Sequence, residues 1–336
     1  LWGWGEAARL LPGTGHRRMQ ALDEAFFDVV SGADIDDRVG LPGTGPVVFA
    51  SVTFSPRSTG TVGIVPRVVV GRRGDDWWMT SVDDARPPGR APEPGAEDKA
   101  RYAGSSLPDV LWLERVAKAI ERIEAGELEK VVLARDYAVW SRAPFHPARV
   151  LDRLIGRFPG CHVFRVADLV GASPELLVRR HATRVDSLVL AGSAPAYADE
   201  ERDTSAARNL LDSGKDRWEH ELAVRSVREP LSGIGADVTV RDRPEILRLA
   251  NVQHLATAVA ATVPEDWDAL QLAELLHPTA AVGGTPTDRA FEVIGALEGM
   301  DRGRYSGPVG WMDARGDGEF AIALRCAELS GARARL

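Results

Sequence analysis

Residues 162–193 read HVFRVADLVGASPELLVRRHATRVDSLVLAGS. Three apolar, β-branched runs follow one another here, at 162–171, 175–179 and 183–191. Only the turn Gly171-Ala172-Ser173-Pro174 and a short polar link lie between them, so they read as consecutive strands. No helix-period segment separates them, and tight connections between neighbouring strands belong to antiparallel pairing. The same pattern appears upstream at 46–53, 61–71 and 77–80, and downstream near 237–241, 253–262, 305–312 and 319–329. Helical patterns fall between these groups. Val110, Leu113, Val116, Ile120 and Ile123 recur at spacings of three and four, with Asp109 placed to cap the start and Gly126 the end. Residues 128–135 read as a buried strand, and 147–157, 203–232, 267–276 and 286–297 as helical. The expectation is an α+β fold in which large, mostly antiparallel sheets are layered with helices.

The chain has 336 residues, with 41 Lys+Arg against 49 Asp+Glu and a formal net charge of −8. That length exceeds the ~250–300 residues at which a single core stops growing. Residues 1–106 are expected to form an N-terminal region ending in a Pro/Gly-rich connector (83–106) and packed as part of one fold. Residues 107–336 would carry the rest. An apolar content of 44% excludes a disordered chain, and two cysteines exclude a disulfide scaffold. No stretch approaches the ~18 apolar residues of a membrane span. The acidic balance argues against nucleic acid as a partner. Leu1-Trp2-Gly3-Trp4-Gly5 has neither the basic nor the apolar part of a signal peptide, so the expected location is cytoplasmic.

Some signals are best read as structure. Leu-Pro-Gly-Thr-Gly occurs at 11–15 and 41–45, where a Pro-Gly turn suffices. Cys161 and Cys326 lack zinc-ligand spacing. Trp2, Trp4, Trp77 and Trp78 suit core and hairpin packing.

Four segments resist a packing explanation. Lys130 heads an apolar run, although lysine is rarely buried unless paired or functional. Glu175 follows a proline turn and precedes two leucines, so desolvation should raise its pKa. Within Asp216-Arg217-Trp218-Glu219-His220-Glu221-Leu222, Glu219 and Glu221 point to different helix faces, so only one can line a given cleft. In Leu190-Ala191-Gly192-Ser193, small residues let backbone amides approach a ligand.

Taken in this order, these segments resemble the chorismate-utilising enzymes, and among them the isochorismate synthases. The resemblance runs from about residue 110 onward. It rests on Lys130-Val131-Val132-Leu133-Ala134-Arg135, Gly171-Ala172-Ser173-Pro174-Glu175, Leu190-Ala191-Gly192-Ser193, Glu219-His220-Glu221-Leu222, His254-Leu255-Ala256-Thr257, His277-Pro278-Thr279-Ala280-Ala281, Tyr305-Ser306-Gly307-Pro308-Val309-Gly310-Trp311 and Ile322-Ala323-Leu324-Arg325-Cys326. No site residue is carried over from the first hundred residues.

The resemblance implies conversion of chorismate, a small diacid, to isochorismate by water addition at ring C2 and loss of the C4 hydroxyl. It makes Lys130 the base that activates water and Glu175 the acid that protonates the leaving hydroxyl. Burial would favour the uncharged state each role needs. It implies Mg²⁺ as cofactor with Glu219 as a ligand, Arg325 on the enolpyruvyl carboxylate, Gly192 and Ser193 on substrate oxygens, and His254 and Tyr305 lining the pocket. A second glutamate ligand and a carboxylate-binding lysine are implied beyond Leu336. Ala191 stands where the aminodeoxychorismate branch carries a nucleophilic lysine, which leaves water as nucleophile and needs no glutaminase partner. The menaquinone and siderophore pathways both remain open. So do two rival functions: a salicylate synthase of the same family, and a non-catalytic chorismate-binding protein.

Overall fold

The computed structural model describes residues 1–89 and 99–336. Its frame is a ten-stranded sheet. Across it lie Asp237–Val240, Val252–Thr262, Arg184–Pro195, Leu176–His181, Gly318–Ile322, Pro308–Asp313, Val47–Ser51, Val62–Val65 and Ala8–Leu10, with Glu245–Arg248 also paired to Val252–Thr262. A six-stranded sheet runs His162–Val166, Leu169–Ser173, Cys326–Ser330, Arg333–Arg335, Ala138–Trp140 and Arg101–Gly104. The pairings in both are antiparallel. The architecture is α+β, with mostly antiparallel sheets layered with helices.

The period-two alternation of the strands builds two cores. Strand Gly318–Ile322 sends Phe320 and Ile322 into the main core, which also holds Leu22, Val224, Val227 and Leu270 from three helices. Its Ala321 faces the other way, into a smaller cluster with Val166 and Leu169 of the six-stranded sheet. Each such large side chain removed from water contributes about 1.5–3 kcal/mol. A third cluster packs Leu128, Val131 and Leu133 against Val293 and Leu297 of helix Thr287–Leu297.

The chain passes between the two sheets at two neighbouring places. Pro174 and Glu175 join Leu169–Ser173 of the small sheet to Leu176–His181 of the large one. Ala323, Leu324 and Arg325 make the reverse passage from Gly318–Ile322 to Cys326–Ser330. The passages are tied together, since the Ile322 amide donates to the Glu175 carbonyl (3.1 Å) and the Ala172 amide to that of Arg325 (3.2 Å). Glu175 and Arg325 thus sit side by side where the chain changes sheets.

Several element boundaries differ from the sequence reading. The run 319–329 is two strands, because Arg325 takes a left-handed φ of 48° and turns the chain. The helical region 203–232 is two helices, Glu200–Asp212 and Gly214–Gly233, the second capped by the Ser213 hydroxyl on the Asp216 amide. Only Lys130–Val131 of the run 128–135 pairs as strand, with Gly284–Thr285. Helix Asp109–Glu124 starts at Asp109, which offers no side-chain cap, and Gly126 follows its end at φ 74°. Its apolar stripe meets the core only at its C-terminal end. Val110, Leu113 and Ile120 are exposed, and the helix packs through Ala119 and, from the stripe, Ile123. Within the connector 83–106, Arg101–Gly104 is a strand, and the stretch 90–98 lies outside the described residues. The second Leu-Pro-Gly-Thr-Gly segment turns at Pro42-Gly43, whereas 11–15 is irregular chain that bends at Thr14-Gly15. Trp78 is buried, whereas Trp2 and Trp77 stack on each other at the surface.

Candidate active site

The region where the chain changes sheets gathers the residues singled out from the sequence. Lys130 comes from the short strand Lys130–Val131. Leu128, Val131 and Leu133 anchor that segment in the third core, while Lys130 reaches across to helix Gly214–Gly233. It is 8% exposed. Its Nζ lies 3.1 Å from Glu219 Oε1, an ion pair across to helix Gly214–Gly233. Burial lowers the Lys130 pKa, while the charges of Glu219 and Glu175 pull it back up.

Glu175 sits in the first inter-sheet passage and is 4% exposed. Desolvation pushes its pKa up to about 8, against the opposing pull of a hydrogen bond from the Leu190 amide and of the Lys130 and Arg325 charges. The carboxyl is therefore largely protonated at neutral pH, and it shares its surroundings with both cations.

Arg325 occupies the second passage. Its Nη2 donates to His254 Nε2 at 2.7 Å, and His254 Nδ1 lies 2.8 Å from Ser193 Oγ. Because a guanidinium can only donate, Nε2 must accept, and the ring proton resides on Nδ1 and points at Ser193. Burial, reinforced by the Arg325 charge, lowers the His254 pKa to about 4. The imidazole is neutral, and the Ser193 hydroxyl keeps its own proton to give away.

Gly192 is the extra residue of a bulge. Ala191 pairs with Leu255 and Ser193 with His254, which leaves Gly192 unopposed at φ 77°. A Cβ there would stand 3.3 Å from Asp216 Cβ, so a side chain is both strained and crowded. Behind the bulge lies His220. Its Nδ1 is 3.2 Å from the Ala191 carbonyl and its Nε2 2.7 Å from Thr257 Oγ1. The carbonyl accepts, so Nδ1 carries the proton and Thr257 donates to Nε2. His220 thus braces the bulge, and burial lowers its pKa.

Tyr305 lies in the turn before strand Pro308–Asp313. That turn is clamped to the second passage through Ser306 N to Ala323 O (2.9 Å) and Ala323 N to Gly307 O (2.8 Å). Gly307 is obligatory, since a Cβ would collide with the Val52 carbonyl at 2.0 Å. Burial raises the Tyr305 pKa. Tyr305 and Arg325 line a cavity of about 480 Å³, and Lys130, Glu175, Ser193 and His254 are not among its lining residues.

An ion pair, hydrogen bonds and mutual charge effects thus link Lys130, Glu219, Glu175, Arg325, His254 and Ser193 into one cluster. It combines a buried amine, a buried acid, a neutral histidine–serine pair, a guanidinium and one partly exposed carboxylate. Such a set suits a small anionic substrate undergoing proton transfer at two points. Among the described residues, no three His, Cys, Asp or Glu side chains meet as a metal cage, and no helix is long and apolar enough to cross a membrane.

The chain is similar to several known proteins. The sequence model of the family described as "Chorismate binding enzyme" matches residues 75–336. The chain is 38% identical over 237 residues to isochorismate synthase EntC of Escherichia coli, covering 69% of this chain and 61% of that protein. It is 37% identical over 255 residues to the salicylate biosynthesis isochorismate synthase of Pseudomonas aeruginosa, covering 75% of this chain and 53% of that one. The crystal structure of MenF, the menaquinone-specific isochorismate synthase from Escherichia coli, superposes with a TM-score of 0.80 at 23% identity, over 99% of this chain and 78% of that one.

Proposed function

The chain belongs to the chorismate-binding enzyme family, and from that premise we propose that it is an isochorismate synthase, an isomerase that uses water and Mg²⁺. The observation that carries this reading is the pair of Lys130 and Glu175. Both are buried, each feels the other's charge, and burial drives each toward its neutral form. A neutral amine can take a proton from water, and a neutral carboxyl can give one to a departing hydroxyl. The reaction balances on these two groups. Water adds as hydroxyl at C2 and leaves its proton on Lys130, while the C4 hydroxyl departs as water with the proton of Glu175. Solvent exchange returns both groups to their starting states.

The remaining residues bind and orient. Arg325 presents a planar fork that suits a carboxylate, and its bond to His254 holds that fork in place. The Ser193 hydroxyl and the amides at the Gly192 bulge donate to substrate oxygens. Ala191 offers no amine, which leaves water as the nucleophile.

Glu219 fits a magnesium ligand of the single-carboxylate kind. Its side chain is 35% exposed, so it can face a hydrated ion, and Mg²⁺ commonly keeps several waters beside one or two carboxylates. When bound, Mg²⁺ supplies counter-charge for a substrate carboxylate.

Incubation with chorismate and Mg²⁺, followed by product chromatography, tests the reading. Isochorismate without pyruvate is expected, and chelator should abolish its formation reversibly. Salicylate plus pyruvate would replace the proposal by a salicylate synthase. Chorismate binding without any product would replace it by a binding protein.

A further inference from the structure

Two short segments carry Lys130 into the site, and their backbone ladder is brief. Glu129 N donates to Thr285 O and Val132 N to Gly283 O, both at 2.8 Å. Beyond that point the two chains separate. The groups that would next have paired are taken up by two side chains. Arg302 donates from Nη1 to the Val282 carbonyl (2.9 Å) and from Nη2 to the Val132 carbonyl (2.7 Å). Glu298 Oε1 accepts from the Ala134 amide at 2.7 Å. The two side chains bind each other, with Arg302 Nε 2.9 Å from Glu298 Oε2 and Nη2 on Oε1, and their exposures are only 2% and 1%. The guanidinium also lies 4.1 Å over the Phe54 ring, and the Arg302 carbonyl accepts from the Tyr305 amide.

We propose that the buried Glu298–Arg302 pair is a positioning device. It replaces the missing rungs of the Lys130 ladder and sets Lys130 and Tyr305 in one register. The inference rests on the functional reading above for its kinetic consequences, but not for its structural ones. A planar fork is required, because one guanidinium must reach two carbonyls and a carboxylate together. An ammonium is a point donor and cannot span all three. Displacement of a catalytic group by about 1 Å is enough to cost about 10²-fold in rate.

The test uses Arg302→Lys, which keeps the charge opposite Glu298, beside Leu272→Ala, a core truncation in helix Ala269–Leu276 that lowers stability elsewhere. Arg302→Lys should lower kcat about 10²-fold with KM for chorismate changed less than about threefold. It should also speed hydrogen exchange at the Val132 and Ala134 amides relative to helix Thr287–Leu297. Leu272→Ala should leave kcat and those amides unchanged below its melting temperature. If Arg302→Lys folds too poorly to assay, Glu298→Gln is read by the same two measurements, with faster exchange at Ala134 expected. Exchange at Val132 and Ala134 equal to wild type, or a kcat loss matched by Leu272→Ala, overturns the proposal. Absence of turnover in the wild type would overturn the functional reading instead, and the exchange measurement would still decide this one.

Discussion

Replacing Glu175 by glutamine separates the charge of this group from its shape. The native carboxyl is 4% exposed, and its pKa rises from the usual 4.5 to about 8. At about 1.4 kcal/mol for each pH step, that rise corresponds to on the order of 5 kcal/mol of folding free energy. Its sign follows from linkage. The unfolded chain releases the proton near pH 4.5, whereas the folded chain holds it to about 8. The neutral group's advantage is therefore complete below pH 4.5 and is lost as pH rises through about 8. Glutamine is nearly isosteric and cannot ionise, so the variant lacks this dependence. Other groups titrate alike in both proteins, so they cancel in the difference. Urea unfolding of both at pH 5, 7 and 9 should show Glu175→Gln gaining on wild type by on the order of 4 kcal/mol across the range, with equal m-values. Parallel pH–stability curves would refute the buried, neutral carboxyl, and with it the general acid.

Turnover should be bell-shaped in pH. The alkaline limb should lie near pH 8, where Glu175 loses its proton, and the acid limb should follow protonation of Lys130; a flat rate from pH 6 to 9 would contradict the pair. Lys130→Ala should retain chorismate binding in calorimetry while losing turnover by about 10²–10⁴-fold, and equal loss of both would assign Lys130 to binding. Arg325→Lys replaces the fork and strips His254 Nε2 of its donor, so KM should rise about 10–100-fold, as loss of a charged hydrogen bond worth about 1.5–3 kcal/mol requires. His220→Ala leaves the Ala191 carbonyl and Thr257 hydroxyl unpartnered, and urea unfolding should show a loss of about 1–3 kcal/mol.

The strands without intervening helices at 162–193 made the antiparallel fold legible, because chain connectivity alone limits how such runs can pair. Lys130 and Glu175 were legible as anomalies, since each is a charged residue type set among apolar neighbours. Arg325 was less so. The run 319–329 looks like one strand, and nothing in its side chains announces a left-handed residue that switches sheets. The offset of Gly192 by one bulged residue depends on a partner strand sixty residues away. Glu298 and Arg302 were hidden for a different reason. An i,i+4 acid–base pair at a helix end looks like an ordinary solvated ion pair, and only the tertiary fold buries it. Helix Asp109–Glu124 shows the converse, because its periodic stripe is regular in sequence yet three of its five residues, Val110, Leu113 and Ile120, face outward.

The central claim is that solvent water attacks the ring while Lys130 and Glu175 exchange protons with it. Turnover of chorismate in oxygen-18 water, read by mass spectrometry of the product, tests it most directly. Isochorismate carrying one heavy oxygen at C2 is the result this account requires. Isochorismate bearing only its original oxygens, formed at the same rate, would contradict it.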